Sequence, residues 1–228
     1  MNNGRDNKTC NRFLIFLLLV FGSNLTQAAA LLPGDILISE VMANPSAVGD
    51  TTGEWFELFN NSGADIDLDG LLLLDDGSDS YTINNGAPLI IAPGDYFVLG
   101  RNGDSSLNGG YAADYVYSGF TLGNTADEIV ISDGLTELAR LNYLSGSNIG
   151  AGGISAELSN IAALPPGQSD YFLTIDLTYG LGDFGTPGGP GNMPLSGPSP
   201  VPLPPAVWLL GSGLVFLLGV SKRKEQRA

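Results

Sequence analysis

The sequence predicts an all-β domain, a sandwich or barrel of short strands, with an apolar segment near each end of the chain. Three observations predict this fold class: short runs of alternating apolar and polar residues, turn signals between them, and no segment with the periodicity of a long amphipathic helix. Short strands at fairly even spacing are typical of β-sandwiches and barrels. The turn signals are Asn84-Asn85-Gly86, Pro93-Gly94-Asp95, Asn102-Gly103-Asp104 and Asp133-Gly134.

Residues 1–30 have the three parts of a secretory signal peptide. A start with two Arg and one Lys precedes an apolar core from Phe13 to about Gly22, and three alanines end at Ala30. Small residues after such a core are typical of a cleavage site. The alternative is a retained anchor, but a core of about ten residues is short for a membrane span. We therefore expect export and cleavage near Ala30.

The middle of the chain supplies the predicted strands. DIDLD, LARLNYL and FLTIDLTY alternate with a period of two, which predicts strands with one buried face. DILISEV, EWFELF, DYFVLG and EIVISDG carry apolar residues on both faces, as strands inside a sandwich do. In FLTIDLTY the predicted buried face consists of Leu173, Ile175, Leu177 and Tyr179.

Charge is distributed very unevenly along the chain. Between Leu31 and Pro205 there are 22 acidic residues and only two basic ones, Arg101 and Arg140, which gives this part a formal charge of −20. Such a surface repels phosphate backbones, so we expect no nucleic-acid partner. It suits an exported, solvated body or one that meets cations.

The residue inventory excludes several kinds of catalytic site. The sequence has no His, and its single Cys10 lies inside the predicted signal peptide. The processed chain would therefore have no disulfide, no zinc site built on thiols or imidazoles, and no Ser-His-Asp triad. We predict no catalytic residues and a protein that is not an enzyme.

Glu40, Glu54 and Glu57 are the candidate carboxylate cluster. They lie in SEV and EWFEL, two runs that we expect to form neighbouring strands. Paired carboxylates can serve general acid–base hydrolysis. The favoured alternative is that they accept hydrogen bonds from loop amides and neighbouring strands, since perturbed carboxylates are often structural.

A second acidic cluster raises the question of calcium. DIDLDG begins like a calcium loop, but Ile66 and Leu68 alternate with the aspartates as in a half-buried strand, and flanking helices are not predicted. A looser site is conceivable in the next loop, where Asp75, Asp76 and Asp79 cluster. The prediction is no cofactor, with weak Ca²⁺ binding as the one open alternative.

Several separate motifs occur in a fixed order, among them Glu54-Trp55, Glu57-Leu58 and the closing TPGGPGN, and on these motifs residues 34–192 resemble a lamin-tail domain. The family is characterised by an immunoglobulin-like β-sandwich, so the resemblance implies that fold and a binding or tethering role without a catalytic site. Later stretches that agree are IAPGDYFVLGRN, FTLGNTADEIVISDG and the closing TPGGPGN, which carries an extra Gly191. The first motifs that carry the resemblance are Ser39-Glu40, Asn44-Pro45, Glu54-Trp55, Glu57-Leu58 with Asn60, and Asp67-Leu68 with Gly70.

The chain ends in the motif Val201-Pro202-Leu203-Pro204, an apolar run and a basic cluster, an order that resembles a PEP-CTERM sorting signal. A Pro-rich linker at residues 193–205 precedes a predicted transmembrane helix at residues 206–221 and a basic tail at residues 222–228. The sorting motif is Val201-Pro202-Leu203-Pro204, with Leu203 in place of the Glu of the name-giving form. The resemblance implies a Gram-negative bacterium, processing by an exosortase-type protease, and delivery to the cell surface or an exopolysaccharide matrix.

Lys222, Arg223 and Lys224 form the predicted membrane stop. Basic residues beside an apolar segment stay cytoplasmic, so the signal peptide would place the domain in the periplasm until release. We therefore predict an exported, non-enzymatic binding or structural module, cleaved near residues 201–205, with exopolysaccharide or surface proteins as partners. The alternatives are a permanent single-pass anchor, a carboxylate-based hydrolase and a calcium-dependent adhesion module.

Overall fold

The computed structural model describes residues 30–159, 164–192 and 195. The predicted signal peptide, sorting motif, transmembrane helix and basic tail lie outside these residues. Within the described part, no helix is long and apolar enough to cross a membrane. The described residues from Leu31 onward belong to one compact unit.

The described chain is almost entirely β-structure. Its one α-helix is the four-residue α1, Asp50–Gly53, and a 3₁₀ turn occupies Gln168–Asp170. The strands are β1 Ile36–Met42, β2 Trp55–Asn60, β3 Ile66–Asp67, β4 Leu72–Leu74, β5 Ser80–Thr82, β6 Ile90–Ile91, β7 Tyr96–Gly100, β8 Tyr115–Val116, β9 Asp127–Ser132, β10 Glu137–Tyr143, β11 Ala156–Leu158, β12 Tyr171–Leu173, β13 Thr178–Tyr179 and β14 Asp183–Phe184.

Two sheets form the sandwich. The six-stranded sheet has the order β12-β11-β1-β2-β7-β8, and the four-stranded sheet has the order β10-β9-β4-β5. Two small ribbons, β3-β6 and β13-β14, complete the structure. All pairs are antiparallel except β7 with β8. The all-β prediction is thus confirmed.

The core lies between the two sheets. From the six-stranded sheet it receives Val41, Phe56 and Leu58, which are 0% exposed, and from the four-stranded sheet Ile129 and Ile131, also 0% exposed. Because side chains alternate along a strand, the neighbours of these residues point to the opposite, outer face of the six-stranded sheet. That outer face is also buried: Met42, Trp55 and Val98 form a second apolar cluster with Tyr111.

The chain after β12 covers this outer face. FLTIDLTY was predicted to be one strand, which is wrong: it divides into β12 and β13 around a turn at Asp176, whose φ is +71°. Ile175 and Leu177 are exposed, whereas Thr174 is fully buried. The pattern fails because the Thr174 hydroxyl turns inward to the carboxylate of Glu40.

Candidate functional site

Three glutamates form a row across the outer face of the six-stranded sheet. Glu40 on β1 is the register partner of Glu57 on β2 and of Glu157 on β11. A β-bulge at Ser39 shifts the register between Ile38 and Glu40. All three glutamates are buried, with exposed fractions of 1%, 1% and 4%. We call Glu40, Glu57 and Glu157 the carboxylate row.

Residues 185–192, the closing segment, lie on the carboxylate row. The Thr186 N–H and hydroxyl donate to the two carboxylate oxygens of Glu40, at 2.9 and 2.7 Å. The Gly188 N–H donates to Oε2 of Glu57 at 2.7 Å, and the Asn192 N–H donates to Oε2 of Glu157 at 2.8 Å. Each glutamate therefore holds a different residue of one short segment, mostly through main-chain amides.

Hydroxyl groups of the sheet occupy further carboxylate oxygens. Ser155 and Thr174 both donate to Oε1 of Glu40, the latter at 3.2 Å. Ser39 donates to Oε1 of Glu57 at 2.7 Å. Buried carboxylates need such partners, because an unpaired buried acceptor costs free energy. The row is consequently satisfied by the chain itself.

Two glycines allow the closing segment to approach this closely. A side-chain carbon at Gly191 would overlap the carboxylate of Glu157. One at Gly185 would lie 3.0 Å from the Ser155 hydroxyl oxygen and 3.2 Å from Oε1 of Glu40. Gly191, the extra residue of the closing motif, is therefore required by the contact with Glu157.

Burial raises the pKa of two glutamates of the row, Glu57 and Glu40. Desolvation raises the pKa of Glu57 to about 8, and the neighbouring charge of Glu40 acts in the same direction. Desolvation also raises the pKa of Glu40, and Glu157 adds to the effect, although hydrogen bonds from Ser155 and Thr186 oppose it. Two like charges on adjacent strands thus favour protonation.

Glu54 belongs to a different arrangement. Its Oε2 accepts from the Arg101 guanidinium at 3.0 Å and from the Leu122 N–H at 3.3 Å. Burial raises the pKa of Glu54 to about 7, while Arg101 partly counteracts that rise. Of the predicted trio Glu40, Glu54 and Glu57, the structure pairs only Glu40 with Glu57.

Glu157 is the residue of the carboxylate row that sequence reasoning missed. It lies in ISAEL, within a stretch that matched no expected strand. A signal was present in the sequence, because Ala156 and Leu158 flank Glu157 with the period-two alternation of a strand. In the structure all three residues are buried.

An aromatic contact extends the coverage beyond the row. Trp55, fully buried on β2, donates its indole N–H to the Tyr179 hydroxyl at 3.1 Å, and the two rings pack edge to face. Both oxygens of the Asp183 carboxylate accept the amides of Ser46 and Ala47, with the shortest contact at 3.1 Å for each amide. Residues 178–192, which we call the C-terminal arm, are therefore fixed against β11, β1 and β2 on the outer face and against the loop after β1.

The predicted calcium residues are engaged within the protein. Oδ1 of Asp75 accepts the amides of Gly77 and Asp79, each at 2.9 Å. Asp76 pairs with Arg140 at 3.0 Å, and Asp79 accepts from Thr121. Within the described residues, no three or more His, Cys, Asp or Glu side chains are placed to hold a metal ion. Weak Ca²⁺ binding in solution stays a prediction.

A cavity of about 160 Å³ lies apart from the carboxylate row. Its lining is largely apolar and includes Leu37, Leu138, Leu164 and Tyr171. The one carboxylate among its lining residues is that of Glu137, which pairs with Arg140 at 2.7 Å. A hydrolase would need converging carboxylates in a cavity, and this cavity does not offer them.

Fold and site together define a class of protein: an immunoglobulin-like, all-β domain closed by its own C-terminal arm. The family model for the Lamin Tail Domain matches residues 30–145. The chain belongs to the lamin tail domain family. The lamin tail domain is a structural, non-enzymatic type of module. Glu40 and Glu57 lie inside the matched range, and Glu157 and the closing segment follow it. A search of curated proteins found no match.

Proposed function

We propose that the protein is an exported, non-enzymatic binding or structural module of the cell surface or extracellular matrix. A C-terminal sorting signal anchors it transiently in the membrane, and an exosortase-type protease removes that signal. The lamin tail fold supports the structural role. The signal-peptide pattern of residues 1–30 and the motif Val201-Pro202-Leu203-Pro204 support export and processing.

The observation that carries the proposal is the position of the closing segment. Its last contact with the carboxylate row is made by Asn192, directly before the Pro-rich linker at residues 193–205. Cleavage near residues 201–205 would leave every described contact of the domain with the released body. This position supports a body that keeps its fold after the tail is removed.

Intact-mass measurement on surface or matrix material tests the processing step. We expect a species that ends near residues 201–205 and lacks the basic tail. Pro202→Ala with Pro204→Ala should block this processing, whereas the control pair Pro198→Ala with Pro200→Ala, in the same linker, should not. A mature species that still carries Lys222 to Ala228 would leave a permanent membrane anchor instead.

The non-enzymatic part of the proposal has its own test. Every glutamate of the carboxylate row is engaged by the closing segment. We therefore expect no turnover of polysaccharides, phosphodiesters or esters by the purified chain. Turnover that disappears in Glu57→Gln or Glu54→Gln would establish a hydrolase and overturn this part.

A further inference from the structure

The carboxylate row holds a short segment of its own chain in an irregular conformation. Its four contacts with Thr186, Gly188 and Asn192 involve three main-chain amides and one hydroxyl. All of these contacts join residues at least 35 positions apart in the sequence. The same hydrogen bonds would therefore form if the closing segment belonged to another copy of the chain.

The C-terminal arm is joined to the sandwich by one short turn. Residues 174–177 connect β12 to β13, and within them Asp176 has φ +71°, a left-handed conformation that an Asp adopts at some energetic cost. A change of conformation at this turn would carry the arm away from its own sandwich without breaking any β1–β2 or β2–β7 contact.

Exposed apolar side chains surround this turn. Phe172 is 51% exposed, Ile175 56% and Leu177 40%, and the Asn192 side chain donates to the Ile175 carbonyl. Two copies that exchanged arms would bring these turns together, and the apolar side chains would lose contact with water. Exchange of an identical element is a low-cost route to association, because each contact is merely made with another copy.

We propose that the carboxylate row is a peptide-binding site that takes the C-terminal arm of a second copy of the chain, so that copies are linked by exchanged arms. The ligand is a peptide of the composition Thr-Pro-Gly-Gly-Pro-Gly-Asn, held by its amides and its threonine hydroxyl. This inference deepens the structural role proposed above. It is tested by binding, so its failure is distinguishable from a failure of tail processing.

The first experiment measures binding of a labelled peptide of residues 183–192 by fluorescence anisotropy. In the native chain the attached arm fills the row. In Gly191→Val the added side chain would overlap Glu157, so we expect the attached arm to be displaced from the row. We expect the peptide to bind Gly191→Val at least about tenfold more tightly than the native chain, because apparent affinity scales with the fraction of open sites.

Matched controls make the result specific. Gly189→Val places the same side chain two residues away, where nothing lies within 4 Å, and should bind the peptide as weakly as the native chain. A peptide with the Gly191→Val change should not bind. Thr186→Val removes the hydroxyl contact with Glu40, and it is the second variant in which we expect the attached arm to leave the row. Folded Gly191→Val and Thr186→Val chains that both fail to bind would overturn the proposal, as would equal binding to the native chain.

The second experiment tests whether the partner is another copy. A Glu57→Leu chain has an unchanged C-terminal arm and an altered carboxylate row. A Gly191→Val chain has an altered arm and an unchanged row. Mixed together, they should form a 1:1 complex, detected by size-exclusion chromatography of differently tagged chains. Neither should form it alone. Replacing the second chain by Gly189→Val should lower the yield of the complex, since its own intact arm competes for the row. Absence of the complex in the original mixture would overturn the exchange of arms.

Discussion

Glu40 and Glu57 are direct neighbours across β1 and β2, each 1% exposed, and within the described residues neither forms a salt bridge with a basic side chain. Like charges directly opposite each other destabilise a sheet. Here Thr186 and Gly188 provide the compensating hydrogen bonds, and burial favours the protonated forms. The pair stabilises the domain only while the closing segment is in place.

Replacement of Glu57 by Leu should destabilise the domain strongly. It would leave the Ser39 hydroxyl and the Gly188 amide without their acceptor in a buried site. We expect a loss of about 3 kcal/mol in the free energy of unfolding, from the cost of unsatisfied buried donors. Urea unfolding followed by tryptophan fluorescence measures it. Glu128→Gln, a half-buried carboxylate on β9, is the control and should change stability by less than about 0.5 kcal/mol. Equal effects would contradict the role of the row.

Stability should fall as pH rises through neutrality. Because the folded-state pKa of Glu57 is raised from 4.5 to about 8, the folded domain binds more protons than the unfolded chain. The resulting stability is fully present below 4.5 and is lost as pH rises through about 8. Glu40 acts in the same direction.

Glu57→Gln is the matching variant for this pH dependence, because it removes one titrating group. Its slope of stability against pH should be smaller by up to about 1.4 kcal/mol per pH unit within that window. Urea unfolding at several pH values measures both chains. A native domain that is more stable at alkaline than at mildly acidic pH would contradict the raised pKa values.

The two arginines of the domain should differ in importance. Arg101 pairs with Glu54 at 3.0 Å, and the two side chains are 16% and 4% exposed. Arg140 pairs with Asp76 and Glu137, whose side chains are more than half exposed. Arg101→Gln should cost about 3 kcal/mol, because it leaves a buried carboxylate without its cation. Arg140→Gln should cost about 1 kcal/mol or less, as surface pairs do. Thermal unfolding of both variants makes the comparison, and the reverse order would refute it.

Tyr179→Phe should weaken the docking of the C-terminal arm without removing its ring. The variant loses the hydrogen bond from the Trp55 indole but keeps the edge-to-face packing. We expect a loss of about 1 kcal/mol and a change in the emission of the buried Trp55. Tyr81→Phe, which removes a half-buried hydroxyl contact with Tyr115 elsewhere, is the control and should leave the emission unchanged.

The sandwich was predictable from local pattern, and the site was predictable only in part. DILISEV and EWFELF became β1 and β2, because apolar residues on both faces predicted strands inside a sandwich. Ile66 and Leu68 are buried and Asp65, Asp67 and Asp69 are not fully buried, as their alternation predicted.

The arm escaped prediction because its order comes from contacts that are distant in sequence. Thr186 meets Glu40 across 146 positions, a relation that no periodicity encodes. FLTIDLTY kept the alternation of a strand, but Thr174 was drawn inward by hydrogen bonds and Ile175 was left exposed. The partners of Glu40 and Glu57 were expected to be loop amides or neighbouring strands, and the amides of the closing segment fulfil that expectation.

The attachment of the closing segment has a mechanical consequence. A force that pulls on the linker after Asn192 is transmitted first to the side-chain contacts with Glu157, Glu57 and Glu40, and only afterwards to the β1–β2 ladder. Small sets of hydrogen bonds yield before a cooperative sheet does. Under load we therefore expect the closing segment to detach from the carboxylate row before the sandwich unfolds. Its detachment lengthens the chain and leaves the two sheets intact.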